Sequence, residues 1–310
     1  MCYSAKVIAS WRQYQRVFGA DIDLRAFADM YEARLAPKGV KTPKAMDVSM
    51  AEVPGPDGDA IRAAIAEFER AEAARLEQLL FSQRKRLADA ERTLQTRSTK
   101  KALEDQRIAT NKIAWARRKL DDLRRSELRD EDRTIYPGTY APVMVMENGK
   151  RVLKPMRYQC RPCGKPAFYD RKYAGTYNAR RDSLEGFWGD TFGVHHGIMV
   201  ADTFYENVEG EDGQNQKLAF TPRTGEPMLI ACLWSHWVDP KGKEPDLLSF
   251  AAITDEPEPE VAAVGHDRTI INIKPEHVDA WLTPDRGNLA SLYAILDDKQ
   301  HPFYEHRLAA

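Results

Sequence analysis

The chain has 310 residues, and its 46 Lys and Arg against 47 Asp and Glu leave a formal net charge of -1. That balance excludes a bulk polycation that coats nucleic acid, so any nucleic-acid contact must come from a local basic patch. The length suits one large domain or two small ones, and no stretch is apolar enough for long enough to span a bilayer.

Charged residues and Gln interrupt the N-terminus soon after Ile8, unlike a secretory signal, so a cytoplasmic location is expected. There the four cysteines at 2, 160, 163 and 232 stay reduced, and no disulfide framework is expected. Over residues 24–35, Leu24, Phe27, Met30, Tyr31 and Leu35 recur at helical spacing, which predicts a core-facing helix. Pro54-Gly55-Pro56-Asp57-Gly58 then breaks the chain.

Over residues 59–130 Pro and Gly vanish, and Ala, Arg, Glu, Lys and Leu dominate. One apolar stripe runs Ile61, Ile65, Phe68, Leu76, Leu80, Leu87, Leu94. A second runs Leu103, Ile113, Leu120, Leu123, with Trp115 nearby. Thr96-Arg97-Ser98-Thr99 between them suits a turn and a helix cap. The pattern predicts two long helices folded as an antiparallel coiled-coil hairpin. Its interspersed charges read as a solvated surface, or as an arm that touches DNA or a partner protein.

From Tyr136 onward the pattern turns to short β-like runs at 143–146, 152–153, 198–200, 229–233, 247–253 and 269–273. Asn148-Gly149, Asp212-Gly213 and Pro240-Lys241-Gly242 mark turns between them. Pro275 opens a short helix with Val278, Trp281 and Leu282 facing inward. The fold class read from this is α+β, a mostly antiparallel sheet flanked by helices. Residues 1–58 and 131–310 form one discontinuous domain, and 59–130 is a helical-hairpin insertion.

Cys2 follows the initiator Met and is small enough to permit its removal. The new terminus carries an amine and a thiol on adjacent carbons, which titrate near about pH 8 and about 8.5. The amine can form a Schiff base with an aldehyde, and the thiol can close on it to a five-membered thiazolidine.

Downstream, in order, stand Tyr177-Asn178-Ala179-Arg180, Ala201-Asp202-Thr203-Phe204-Tyr205-Glu206 and Gly265-His266-Asp267-Arg268. With Met1-Cys2, this series resembles the SRAP family (SOS response-associated peptidase, abasic-site crosslinking proteins). Weaker matches are Tyr136-Pro137-Gly138, Leu153 through Tyr158, Ala231-Cys232-Leu233-Trp234, and Lys274-Pro275-Glu276 through Trp281-Leu282. The arm is unmatched. The resemblance implies a bulged SRAP-like sheet and a reversible covalent crosslink to abasic sites in single-stranded DNA, with self-removal of Met1. It implies lyase-type chemistry with an accessory cysteine peptidase step, and no metal or organic cofactor.

By the same resemblance, Cys2 would be the nucleophile and Asn178 would hold the N-terminus. Glu206 would be the general acid/base that helps open the sugar, and His266 a second proton carrier. Arg180, Arg181 and Arg268 would meet phosphates. Phe168 and Tyr169 lie where the family has base-stacking Trp residues. Thr254 and Pro137 would lie near the lesion.

Each residue also has a plain structural reading: a turn Asn, a loop His, a surface Glu, core aromatics. The sequence departs from the family at Tyr3 and Ser4, which replace Gly and Arg, and at Asp182, Thr203, Asn207 and Thr269-Ile270. Two alternatives stay open: an N-terminal-nucleophile peptidase acting on protein, and a degenerate module that recruits a partner through the arm. Cys160-Arg161-Pro162-Cys163 has metal-ligand spacing but lacks a second cysteine pair, so no metal is assigned. His195-His196 is the pair that could complete such a site.

Overall fold

The computed structural model describes residues 3–36, 39–210 and 213–309. Cys2 lies outside the described residues, as does Asp212 of the Asp212-Gly213 turn.

The chain opens on strand β1 (Ser4–Val7), helix α1 (Trp11–Phe18), short strand β2 (Asp21–Ile22), and helices α2 (Leu24–Ala33) and α3 (Lys44–Ala51). Helix α2 is the one that helical spacing predicts, and Phe27, Met30 and Tyr31 are its buried face. Asp23 caps it, its carboxylate accepting the Ala26 N–H at 3.0 Å.

Helices α4 (Gly55–Thr96) and α5 (Lys100–Arg124) form the arm. Gly55 takes a φ of +84°, which only Gly adopts easily, and Pro56 sits in the first turn of α4. At the far turn the Thr99 hydroxyl accepts the Ala102 N–H at 3.1 Å and caps α5. At 1.5 Å per residue α4 is about 63 Å long. Its base is held by the body: Ile61 and Ile65 join the core cluster of Phe27 and Met50. The Arg34 guanidinium lies 3.7 Å over the Phe68 ring.

The seam of the arm corrects the expected α5 stripe. Leu103 is 50% exposed and Trp115 39% exposed. Ala102, Ala109 and Ala116, spaced seven apart, are buried there instead, with Leu76, Leu80 and Leu120 packing nearer the base. Methyl side chains let the helices approach closely and leave no room for leucine. Ala109→Leu is therefore expected to overpack the seam and destabilise the protein by about 1–3 kcal/mol. Urea unfolding followed by circular dichroism checks this, and an unchanged midpoint would refute the alanine seam.

After the arm come β3 (Thr134–Ile135), β4 (Tyr140–Glu147), β5 (Lys150–Tyr158), α6 (Tyr169–Lys172), β6 (Asn178–Arg180), β7 (His196–Glu209) and β8 (Asn215–Pro222). Then follow β9 (Met228–Trp237), β10 (Leu247–Asp255), α7 (Pro259–Ala262), β11 (Thr269–Ile270), α8 (Val278–Leu282), α9 (Leu289–Asp297) and β12 (Tyr304–Leu308). Asn148 and Gly149 turn β4 into β5 with φ values of 50° and 74°, the two-residue hairpin geometry that Asn-Gly favours. The strand expected over 269–273 stops at Ile270. Beyond it, the Asn272 side chain accepts the Leu229 N–H at 2.6 Å.

The strands join in one mostly antiparallel sheet; only β2–β5, β5–β10 and β6–β10 run parallel. Strands β4, β5, β10, β9 and β7 pair in a closed circuit. Alternate residues along each strand fall in two clusters, as the period of two requires. Ile198, Leu229, Ala231 and Leu233 pack with Tyr14, Phe27, Trp281 and Leu292 of the helices. Met199, Ile230, Cys232 and Phe250 pack on the other side with Val143 and Tyr158. Among the described residues no helix is long and apolar enough to cross a membrane.

Strand β7 positions the site. Its first half pairs with β9 and its second half with β8, while β1 runs antiparallel along its middle. The β1 register shifts between Lys6 and Val7, opposite Asp202, whose carboxylate pairs with Arg133.

Candidate active site

Glu206 lies one residue beyond Tyr205, the partner of Ser4 at the start of β1. It shares a face of β7 with Phe204 and Val208 and is only 1% exposed. A carboxylate taken that far from water needs a charged or hydrogen-bonding partner. The partner is His266, whose Nε2 stands 3.0 Å from Glu206 Oε2.

His266 is delivered by the turn after α7, where Gly265 takes a φ of +83°. Its Nδ1 lies 2.9 Å from the Arg268 carbonyl oxygen. A carbonyl only accepts, so this closer contact favours a proton on Nδ1 over the longer one, 3.4 Å, in which Nδ1 would accept the Arg268 N–H. Nε2 then meets the carboxylate favourably only when a proton lies between them. Burial, the largest single influence, opposes the imidazolium, but the Glu206 hydrogen bond and charge, together with the Arg268 carbonyl, outweigh it and raise the His266 pKa above its ordinary 6.5.

Asn178 opens β6, opposite Ala252 of β10, and is 6% exposed. Its neighbour Tyr177 meets the Tyr3 ring edge-on at 6.0 Å, and Tyr136 meets the same ring at 6.0 Å. The start of the chain is thus bracketed. Tyr3 touches the residue beside Asn178, and Ser4 pairs with the residue beside Glu206. Pro137 follows Tyr136 and is half-buried. Sequence reasoning missed Lys217, whose Nζ lies 4.0 Å from the Tyr205 ring centroid and 5.3 Å from that of Tyr136. No local signal marks it; only the β7–β8 pairing brings it there.

Arg180, Arg181, Thr254 and Arg268 come together in one small cleft with Asp182, Asp255 and Glu256. Arg180 pairs with Asp182 at 2.6 Å, and both side chains are about half exposed. Such an exposed pair contributes at most about 1 kcal/mol, so an incoming phosphate can displace it. Arg181 is bound more firmly, to Asp255 at 3.1 Å and to Asp297. Thr254 is 1% exposed, and its hydroxyl lines the cleft without a hydrogen-bond partner among the described residues.

Phe168 is 54% exposed. Beside it, Tyr169 packs at a tilt on Tyr173 at 4.2 Å and stacks on Phe187 at 6.3 Å, forming an aromatic surface. Tyr173 and Phe187 join this surface without having been singled out from sequence. The two cysteines of the Cys-x-x-Cys segment differ. Cys160 is buried, where desolvation pushes its thiol up to about 12 despite a hydrogen bond from Ser249, and Cys163 is exposed. His196 is buried under Trp281; desolvation lowers its pKa to about 3, and its Nε2 accepts the Gly193 N–H. Among the described residues no group of three or more His, Cys, Asp or Glu could hold a metal ion.

Comparison with known proteins adds the lineage. A family model described as SOS response associated peptidase (SRAP) matches residues 92–308. No curated protein matches the chain. Similar solved structures include a Bordetella bronchiseptica protein, 18% identical, with a TM-score of 0.47 over 60% of this chain and 90% of that one. A Bacteroides thetaiotaomicron protein is 14% identical, with a TM-score of 0.47 over 57% of this chain and 77% of its own. A phage-related protein from Bordetella bronchiseptica is 20% identical, with a TM-score of 0.42 over 57% and 80%. The family match alone spans well over half the chain and takes in Asn178, Glu206 and His266. On that match, the chain belongs to the SRAP family, the SOS response associated peptidases.

Proposed function

We propose that the protein captures the aldehyde of an abasic site in single-stranded DNA through Cys2, once Met1 has been removed. Membership of an SOS response associated family ties the chain to DNA damage. The observation that carries the finer reading is the buried Glu206–His266 pair beside the start of β1. Ser4, two residues on from Cys2 in the chain, pairs with Tyr205, the neighbour of Glu206.

The chemistry follows in balanced steps. Water cleaves the Met1–Cys2 peptide bond and frees the α-amine. The abasic sugar opens from hemiacetal to aldehyde by moving one proton from its hydroxyl to the ring oxygen. The amine adds to the carbonyl carbon, and the carbinolamine loses water to give a Schiff base. The thiol sulfur adds across the C=N bond, its proton passing to nitrogen, and closes a thiazolidine. Each step moves a proton near neutral pH, and a carboxylate sharing a proton with an imidazole serves both directions. The first step makes the protein its own peptidase substrate, in keeping with the family's description.

The test is direct. The purified full chain is incubated with a labelled abasic single strand and run on a denaturing gel. A shifted band is expected, absent with an undamaged strand. Intact mass should show loss of Met1. No shifted band from protein lacking Met1 would overturn the reading.

The cleft of Arg180 and Arg268 is the phosphate contact in this proposal. Arg180→Ala is expected to weaken binding and to reduce the slope of log K against log salt by about 0.7, one single-strand phosphate. An unchanged slope in titrations at several salt concentrations would remove Arg180 from that role.

A further inference from the structure

We propose that one face of the helical arm is a second binding surface for single-stranded nucleic acid, with Lys101, Lys112 and Lys119 taking phosphates and Trp115 stacking a base. The inference rests on DNA as the partner but not on the covalent step.

The argument begins with charge. The whole chain is near neutral, yet the outer arm is not. Its acids are largely consumed: Asp89 pairs with Arg92, Glu104 with Arg107, and Asp105 with Arg86. Arg84, Lys85, Arg97, Lys100 and Lys101, near the turn, form no ion pair among the described residues, and all are exposed. Lys112, Arg117, Arg118 and Lys119, lower on α5, are likewise exposed and without an ion pair. Against these stands a single acid of the same stretch without an ion pair, Glu91. This is a concentrated positive field on a neutral molecule.

The second observation is geometric. Residues 101, 108, 112, 115 and 119 follow the spacing of one helix face. Trp115, 39% exposed, therefore lies between Lys112 and Lys119, one turn away on either side. Toward the turn the same face opens into a groove between α4 and α5, with Lys85, Arg86, Arg97 and Lys101 among its walls. Lysines flanking an exposed indole, continuous with a basic groove, are what a single strand needs: charge for the backbone and a ring for a base. The face runs about 27 Å along α5. A protein partner of acidic surface would use the charge but would leave the exposed indole unexplained.

The experiment uses the full chain and an undamaged 30-nucleotide oligo-dT, read by fluorescence anisotropy at several salt concentrations. The triple variant Lys101→Glu, Lys112→Glu, Lys119→Glu is expected to bind at least tenfold more weakly, with the salt slope reduced by about 2. Trp115→Ala is expected to lose about five- to hundredfold, with the slope unchanged. All four residues are exposed, and circular dichroism confirms that the helices persist. Wild-type affinity in both variants would overturn the proposal and leave the face to an acidic protein. A duplex of equal length that outcompetes the single strand would overturn it too. Crosslinking to a short abasic 7-mer, too short to span body and arm, is run in parallel and should be unchanged. Its failure in the wild type would strike the covalent reading and not this one.

Discussion

Cys2→Ala is expected to abolish the denaturation-resistant adduct with an abasic single strand. The variant keeps an α-amine after loss of Met1, so it can still form a Schiff base. That imine hydrolyses on the gel unless borohydride traps it. Only the thiol converts it into a ring with no C=N bond for water to attack. The comparison therefore needs both arms: without reductant the variant should show no shifted band, and with borohydride it should recover one. A stable adduct from Cys2→Ala without reductant would show that another nucleophile does the work.

Glu206→Gln is expected to slow adduct formation about 100-fold near neutral pH, the lower range for a lost general acid/base. It also removes the group that raises the His266 pKa. With the carboxylate gone, only the Arg268 carbonyl opposes burial, and the imidazolium gives up its proton at lower pH. In the wild type the imidazolium persists above the ordinary 6.5, so a step that needs its proton fails only as pH rises through the raised value. In Glu206→Gln that falling limb should move toward acid. The same shift has a stability side. The raised pKa stabilises the fold fully below the unfolded value near 6.5, and this contribution is lost as pH climbs through the folded value. Initial rates against pH, with NMR titration of the His266 imidazole, check both parts. An unchanged rate and an unmoved titration would remove the pair from the mechanism.

Much of the fold was legible because local rules decide it. Helical spacing marked α2, a Thr before a polar-apolar run marked the cap of α5, and Asn148-Gly149 marked a hairpin. The α5 seam was misread for a physical reason. Hydropathy points to Leu103, but close helix approach selects alanine, and alanine carries little pattern of its own. The site was legible only as an ordered series of short motifs. That Glu206 and His266 touch depends on β7 and on the turn after α7, sixty residues apart in the chain. Lys217 was invisible because only strand pairing brings it to Tyr205. The closed circuit of β4, β5, β10, β9 and β7 likewise follows from non-local pairing, which no sequence window contains.

The Tyr3 ring, wedged between Tyr136 and Tyr177 while Ser4 is locked into the sheet, acts as a tether for whatever precedes it. In the proposed reaction, an aminothiol held by that tether would have an effective molarity toward a docked sugar far above that of one free in solution. The tether would thus convert an encounter between two molecules into a rearrangement within one complex. On the proposed function, a lesion too sparse to be found by chance collision of small molecules would become reactive as soon as the strand that carries it is held.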